Sequence, residues 1–323
     1  MSILTVRGQL TLTELAKRTA NNELLSIAEV LTETNEMMDD AVWVEANQLT
    51  SHVTTVRTSL PTGSFRAINE GVPEEASSTR QVVEPMGMLE AYSTVDKKLV
   101  DIAPNPSEFR SNEDKAFIEG LGQTLQENIL YGNRADEIRE FDGFSVRPDW
   151  NALAQPYVWN AGGTADTTSM WLVQWGVDKV HLIYPKGSQT MGIKRDDLGE
   201  QTVYDENNNP YQAYRSHFTA DCGLVIRNPR CVQRIANIEP AGATNTLNDD
   251  DIVKALNQML NRGAGAIIYC NRTLLSQLDI LAKDKTNVTY TSAEIFGKQV
   301  TLFQGHPVRL VEQILDTETA LAA

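Results

Sequence analysis

The chain has 323 residues, 41% of them hydrophobic, enough for one large elaborated domain or two ordinary ones with a substantial core. Lys and Arg number 28 against 43 Asp and Glu, and the net charge of −15 opposes tight contact with phosphate, so a specific DNA or RNA binder is excluded as a first reading. No window approaches the ~18–20 apolar residues of a membrane span, the first residues lack the apolar core and cleavage site of a signal peptide, and the widely spaced Cys222, Cys231 and Cys270 read as reduced, buried thiols; the protein is expected to stay in a cytoplasm.

Residues 11–31 carry two helical pieces. Leu12, Leu15 and Ala16 share one face, Leu24, Ile27, Ala28 and Leu31 another, and Asn21-Asn22 interrupts them. Neither is long enough to stand alone, so the arm needs a surface to dock on. Residues 51–95 change character. Short extended segments broken by Pro61, Gly63 and Gly71 lead to the polar stretch "PEEASSTRQ", and "QVVEPMGMLEAYSTV" returns with β-branched and aromatic residues. This is an out-and-back two-stranded excursion, and such a ribbon is marginal in water unless it lies on another molecule.

Residues 107–131 hold the strongest helical pattern. Phe117, Leu121, Leu125 and Ile129 recur every four residues, Ile118 and Leu130 widen the stripe, and Gly132 stops it. Ser111 and Asp114 are spaced for a capping box. Residues 170–240 are β-rich: "SMWLVQW" and "KVHLIYP" flank a Gly-Val-Asp turn, and "EQTVYD" and "YQAYRSHF" flank "DENNNP", two hairpin signals. A helix over 247–262 opens on Asp249, Asp250 and Asp251, where the helix dipole favours negative charge. "AIIYC" reads as a buried strand, "RTLLSQLDILAK" as a helix, and "KQVTLFQGHPVRLVEQIL" as a final strand pair. The class is α+β, with strands and helices partly segregated.

Candidate chemistry is sparse. Gly187 and Gly192 have the G-x-x-x-x-G spacing of a phosphate loop, but Ile193 follows where Lys is needed, and Lys194 and Arg195 come too late. Asp205, Asn207 and Asn209 match the start of a calcium loop, yet Pro210 and Ser216 stand where its Gly and closing Glu belong, so a solvated hairpin turn is the better reading. The histidines, His52, His181, His217 and His306, have no zinc-site spacing, and His217 near Cys222 reads as a packed strand with a buried thiol. Lys97-Lys98 reads as a solvated pair. No catalytic residue, cofactor or metal is expected. What stands out is a docking arm, a thin excursion and one long helix beside a β-rich body, the parts of a subunit finished by its neighbours.

"LTLTELAKR", "ETNEMMDDAVWVEANQLTSHVTTVRTSLPTGSFRAINEGV", "GMLEAYSTVDKKLVD", "SMWLVQWGVDKVHLIYPKGS", "DDLGEQTVYDENNNPYQAYRSHF", "GLVIRNPRCVQRIANI" and "AIIYCNRTLL" cover most of the chain. In order and spread they resemble the major capsid proteins of tailed phages with the Hong Kong phage 97-type fold, and among these the epsilon-fifteen-type coat proteins of short-tailed phages. The resemblance implies an N-terminal arm (1–50), an extended E-loop across a neighbouring subunit (51–98), a peripheral domain (99–149) with a spine helix at 107–131, an axial domain (150–285), and strands returning to the peripheral domain (286–323). It implies hexamers and pentamers of one chain closing into an icosahedral virion shell in the host cytoplasm, enclosing double-stranded DNA without specific binding. A scaffolding protein, a portal and a cementing protein are the implied partners. In the E-loop, Glu70, Glu74, Glu75 and Arg80 would pair with charges on the next subunit, and Phe65 and Ile68 would supply apolar contact. The alternatives are a nucleotide- or metal-dependent cytoplasmic enzyme using Lys186, Lys194 and Arg195, and another virion component such as a tail or decoration subunit.

Overall fold

The computed structural model describes residues 19–20, 23–24, 36–188, 192–205, 207–242, 244–284, 290–295 and 298–322. In chain order the elements are β1 (Thr19–Ala20), β2 (Glu23–Leu24), α1 (Met37–Asp40), β3 (Trp43–Glu45), β4 (Ser51–Ser59), β5 (Ser78–Pro85), β6 (Gly87–Asp96), α2 (Lys97–Ile102), α3 (Pro106–Tyr131), β7 (Val158–Asn160), β8 (Thr168–Val173), β9 (Val180–Tyr184), β10 (Lys194–Tyr204), β11 (Pro210–Ile226), β12 (Val232–Ile238), α4 (Asp249–Gln258), β13 (Ile267–Cys270), α5 (Arg272–Asp284), β14 (Tyr290–Ile295), β15 (Lys298–Phe303) and β16 (His306–Leu310). β1 and β2 pair antiparallel, Thr19 opposite Leu24, so Leu24 is in a strand where a helical face was expected. The other arm residues, Leu12, Leu15, Ala16, Ile27, Ala28 and Leu31, lie outside the described residues.

A seven-stranded sheet runs in the order β14-β15-β16-β13-β8-β12-β7. Every residue of β8 and β12 is buried, because both faces of the sheet are covered. Successive side chains alternate between the faces. Met170, Leu172, Ile235 and Ile268 pack with Ile252, Ala255 and Leu256 of α4 and Leu274 and Leu278 of α5. Trp171, Val173, Val232 and Tyr269 point the other way, into a core with Leu125 and Ile129 of α3 and with Phe144 and Trp150. Two-sided burial encloses polar residues as well, Ser169, Gln233 and Arg234 among them, and each of these hydrogen-bonds within the body. β15 and β16 form the expected hairpin, but β16 pairs in parallel with β13, so these strands widen this sheet. It is the tail after Val311 that reaches α3.

The second sheet is organised by the 17-residue β11. Its first part is zipped between β10 and β6, and its last four residues pair with β9, which runs parallel to β3. The β10–β11 hairpin forms where "DENNNP" signalled it. The other expected hairpin does not form: β8 and β9 lie in different sheets, joined only by a bridge between Trp175 and Val180. Both segments are apolar enough to be buried on two faces, so each finds its own sheet.

The long helix starts at Pro106, whose fixed φ and missing N–H suit the first helical position. Asn105 caps it by accepting from the Glu108 N–H. Ser111 and Asp114 therefore lie inside the helix and form no capping box; Asp114 is buried and ion-paired with Arg195 of β10. Leu121, Leu125 and Ile129 are buried as the spacing predicts, and Phe117 stacks on Phe218 of β11. Ile118 is exposed, because this half of the helix overhangs an open cleft between Val100, Tyr214 and Asp197. The other half packs more deeply, burying even Gln126 and Leu130. Gly132 ends the helix by close approach. Its φ is −48°, not left-handed, and a Cβ there would sit 2.5 Å from the Phe141 carbonyl oxygen. The expected helix over 247–262 is α4 followed by a 3-10 turn at Leu260–Gly263, with Asn248 as its cap.

The C-terminal tail closes the body through a buried polar network. Arg234 of β12 donates to Glu318 at 2.8 Å, to Ser169 Oγ at 3.0 Å and to the Trp150 carbonyl at 3.1 Å, with its guanidinium over the Trp171 ring. The other Glu318 oxygen accepts from the Tyr131 hydroxyl at the end of α3, and that hydroxyl accepts from the Leu315 N–H. Burial, then the Glu318 charge, pushes the Tyr131 hydroxyl well above its usual range, so it stays protonated as a donor. Burial also raises the thiols of Cys222 and Cys231 and pushes Cys270 up to about 12. All three cysteines are free and buried, without the thiolate character that reactivity needs.

Candidate intersubunit contact site

β4 and β5 form an antiparallel ribbon, Ser51 opposite Pro85 at one end and Ser59 opposite Ser78 at the other. It is a sheet of two strands alone. Only its root is buried, at His52, Thr54 and Glu84. Residues 60–77 form the tip. Pro61 and Pro73 carry no N–H for a ladder, and the tip folds on its own polar contacts. Glu75 accepts from the Thr62 N–H and hydroxyl. Glu70 accepts from the Ala67 N–H at 3.0 Å, and its carbonyl accepts from Arg66 at 3.1 Å. Asn69 closes this turn at φ 71°, a conformation asparagine tolerates. The turn leaves Ile68, one of its two central residues, 92% exposed. Phe65 is fully exposed, and Leu60 and Val72, elsewhere in the tip, are exposed as well. Burying a Phe or Ile side chain is worth roughly 1.5–3 kcal/mol, so this tip holds a large unspent hydrophobic driving force.

Of the residues singled out from sequence, Phe65 and Ile68 thus share the tip with Glu70, Glu74 and Glu75, while Arg80 sits on β5 opposite Val56, exposed. The Glu70 and Glu75 carboxylates are occupied within the tip. No side-chain partner of Glu74 or Arg80 lies among the described residues.

The root is tied down on several sides. Arg147 grips the Glu84 carboxylate with both terminal nitrogens, at 2.8 and 3.2 Å, and donates to the Leu224 carbonyl at 2.8 Å. Asn47 clamps Val53 by accepting from its N–H at 2.9 Å and donating to its carbonyl at 2.7 Å. His52 meets His181 of β9 edge to face, ring centres 5.7 Å apart. Burial, then Arg227, lowers both imidazoles, His181 to about 4.

The competing sites come apart. The Gly187 N–H donates to Glu45 at 2.8 Å, Lys194 pairs with Asp196 at 2.7 Å, and Arg195 is taken by Asp114; Lys186 stays exposed and residues 189–191 lie outside the described residues. Asp205 accepts from the N–H groups of Asn207 and Asn209, both at 2.8 Å, which hold its carboxyl below the usual range and make it a turn-former. Asp251 pairs with Lys254 at 2.8 Å. Among the described residues no three metal-ligating side chains converge. His217 pairs with Glu90 and stacks on Tyr92; Cys222, an odd number of residues further along β11, faces the other side of the sheet. Lys97 is bound to Glu200 at 2.8 Å.

The family described as major capsid protein GP7 matches residues 19–322. The chain belongs to this family. Among solved structures it is similar to the bacteriophage Epsilon15 structure, at 30% identity over 100% of both chains with a TM-score of 0.72. It also matches the bacteriophage JBD30 capsid over 90% of this chain and 95% of that one, at 11% identity and a TM-score of 0.50. No curated protein sequence matches. The fold is the Hong Kong phage 97 type, and the role of the chain is structural: it is a major capsid protein that builds the icosahedral shell of a tailed phage.

Within this capsid protein, sequence reasoning missed the groups that hold the ribbon and the tail. Glu84 and Arg147 are 63 residues apart, Arg234 and Glu318 are 84 apart. No local spacing announces such pairs.

Proposed function

We propose that the chain assembles as hexamers and pentamers, closing in the host cytoplasm around double-stranded DNA that it encloses without specific binding. A scaffolding protein, a portal and a cementing protein are its partners. The ribbon is the E-loop and lies across the next subunit, with residues 1–50 as arm, 99–149 around the spine helix as peripheral domain, and 150–285 as axial domain. One observation carries this reading: Phe65 and Ile68 are exposed at the end of a two-stranded ribbon, uncovered by the other described residues. They are the apolar contact. Glu74 and Arg80 face the neighbour's charges, while Glu70 and Glu75 shape the tip. The acidic balance keeps the shell wall from trapping packaged DNA.

The test is Arg80→Glu, observed by electron microscopy of the protein expressed with the neighbouring phage gene products. Closed particles, or isolated hexamers and pentamers, are expected from the natural chain and not from the variant, with circular dichroism unchanged. Loss of folded signal in the variant would instead place Arg80 in a structural role.

A further inference from the structure

The root of the ribbon contains two histidines that the shell reading leaves unused. His52 is buried on β4 directly opposite Glu84 of β5, and His181 is fully buried on β9. His181 makes no well-formed hydrogen bond, although the Gly176 backbone lies close enough to favour its protonated ring; Nε2 of His52 has no partner, and its Nδ1 accepts from the Asn47 N–H at 3.3 Å. That bond fixes His52 in a neutral tautomer with the lone pair on Nδ1. The charged groups that act on the two rings, or that hold those groups, come from several packed elements. Glu84 stands on β5, Arg147 on the loop after α3, Arg227 just after β11, and Asp178 in the turn before β9. Arg227 donates to Asp178 at 3.2 Å and Arg147 holds Glu84. The joint is therefore neutral while both imidazoles are neutral, and any proton added there is an uncompensated buried charge beside Arg227.

We propose that His52 and His181 form an acid-operated joint that releases the β4–β5 ribbon from the body while the seven-stranded sheet stays folded. The proposal rests on reading the ribbon as the element that reaches a neighbour. The two regions differ in what holds them: β8 and β12 are buried on both faces, whereas the ribbon is buried only at His52, Thr54 and Glu84 and is solvated beyond this root. Protonation is cheap once the root opens, because the rings then meet water.

The sign follows from the imidazoles. Docked, His181 titrates near 4 against an ordinary 6.5. The undocked state binds the proton more readily, so docking is fully favoured above pH 6.5 and weakens as pH falls from there towards 4. At pH 5 this single group shifts the docked-to-undocked ratio by about 20-fold relative to pH 7.

The experiment is hydrogen exchange followed by mass spectrometry on the unassembled full chain at pH 7 and pH 5, corrected for intrinsic exchange rates, for the natural protein, His181→Phe and His52→Asn. Phe fills the same space, and the His181 ring has no well-formed hydrogen bond to lose. Asn keeps an acceptor near Nδ1. Expected is a loss of protection of about 20-fold in 51–59 and 78–85 at pH 5, with β8 and β12 unchanged, and a weaker response in both variants. The same acid response in His181→Phe and His52→Asn, or simultaneous loss from ribbon and β8, overturns the joint. Electron microscopy of the variants at pH 7 separates this from the shell reading: shells without the acid response leave that reading standing and remove the joint.

Discussion

The ribbon of residues 51–85 and the tail of residues 311–322 are both lengths of chain that leave the sheets, and they end in opposite environments. The tail runs inward. Its Glu318 is buried, and each of that residue's oxygens has a donor from a different part of the fold, Arg234 and Ser169 on one and Tyr131 on the other. The ribbon runs outward, with its root gripped by Arg147 and Asn47 and its apolar tip left in water. A segment whose polar groups are all answered within the chain belongs to the folded body. One whose large apolar side chains are left in water has a driving force to be covered, and in the proposed shell the surface that covers it is another subunit.

The contrast breaks most sharply at the tail. Glu318→Gln keeps the shape but leaves Arg234 as a buried, unpaired cation, which is expected to cost about 3–5 kcal/mol. Urea denaturation followed by tryptophan fluorescence should show a correspondingly lower midpoint, since Trp150 and Trp171 adjoin Arg234. A midpoint within error of the natural chain would mean that the network contributes little. Glu84→Gln probes the boundary between the two regions. It removes the bidentate grip of Arg147 and is expected to cost about 1–3 kcal/mol locally, read as faster exchange in the ribbon with little change in the global midpoint. Equal losses in both would show that ribbon and body unfold as one unit. The smallest effect on the isolated chain is expected from Phe65→Ala, within about 0.5 kcal/mol because the ring touches nothing there. The same change should reduce shell yield. Normal yield would remove Phe65 from the contact.

Much of the fold was legible because its signals are local. The four-residue spacing of Leu121, Leu125 and Ile129 marks α3, the "DENNNP" turn marks β10 and β11, and Asp249–Asp251 marks the start of α4. The errors arose where a choice of partner was needed. "SMWLVQW" and "KVHLIYP" have the composition and spacing of a hairpin, but pairing with β12 and β13 in one case and with β11 and β3 in the other buries both faces of each strand. Ile118 fits the helical stripe and is exposed because it turns into the open cleft beside Val100 and Tyr214, while its neighbour Phe117 stacks on β11. Ser111 and Asp114 have capping-box spacing, yet Pro106 had already started the helix. The candidate contact residues were legible as an exposed, apolar-tipped excursion, since a ribbon this thin cannot cover its own side chains. That Glu70 and Glu75 turn inward to hold the tip was not, because a carboxylate facing its own backbone and one facing a neighbour look alike in sequence.

By itself, then, the sequence determined the α+β class, the long helix, the outward ribbon and the lack of any motif for chemistry, all of which depend on residues within a few positions of one another. Tertiary structure alone decided which strands share a sheet, that Arg234 meets Glu318, that Arg147 holds the ribbon at Glu84, and that His52 faces His181. Each of these joins residues 63 to 129 positions apart or selects among equally apolar partners. Local spacing carries no information about such pairings; the packing of two sheets and one helix around a shared core does.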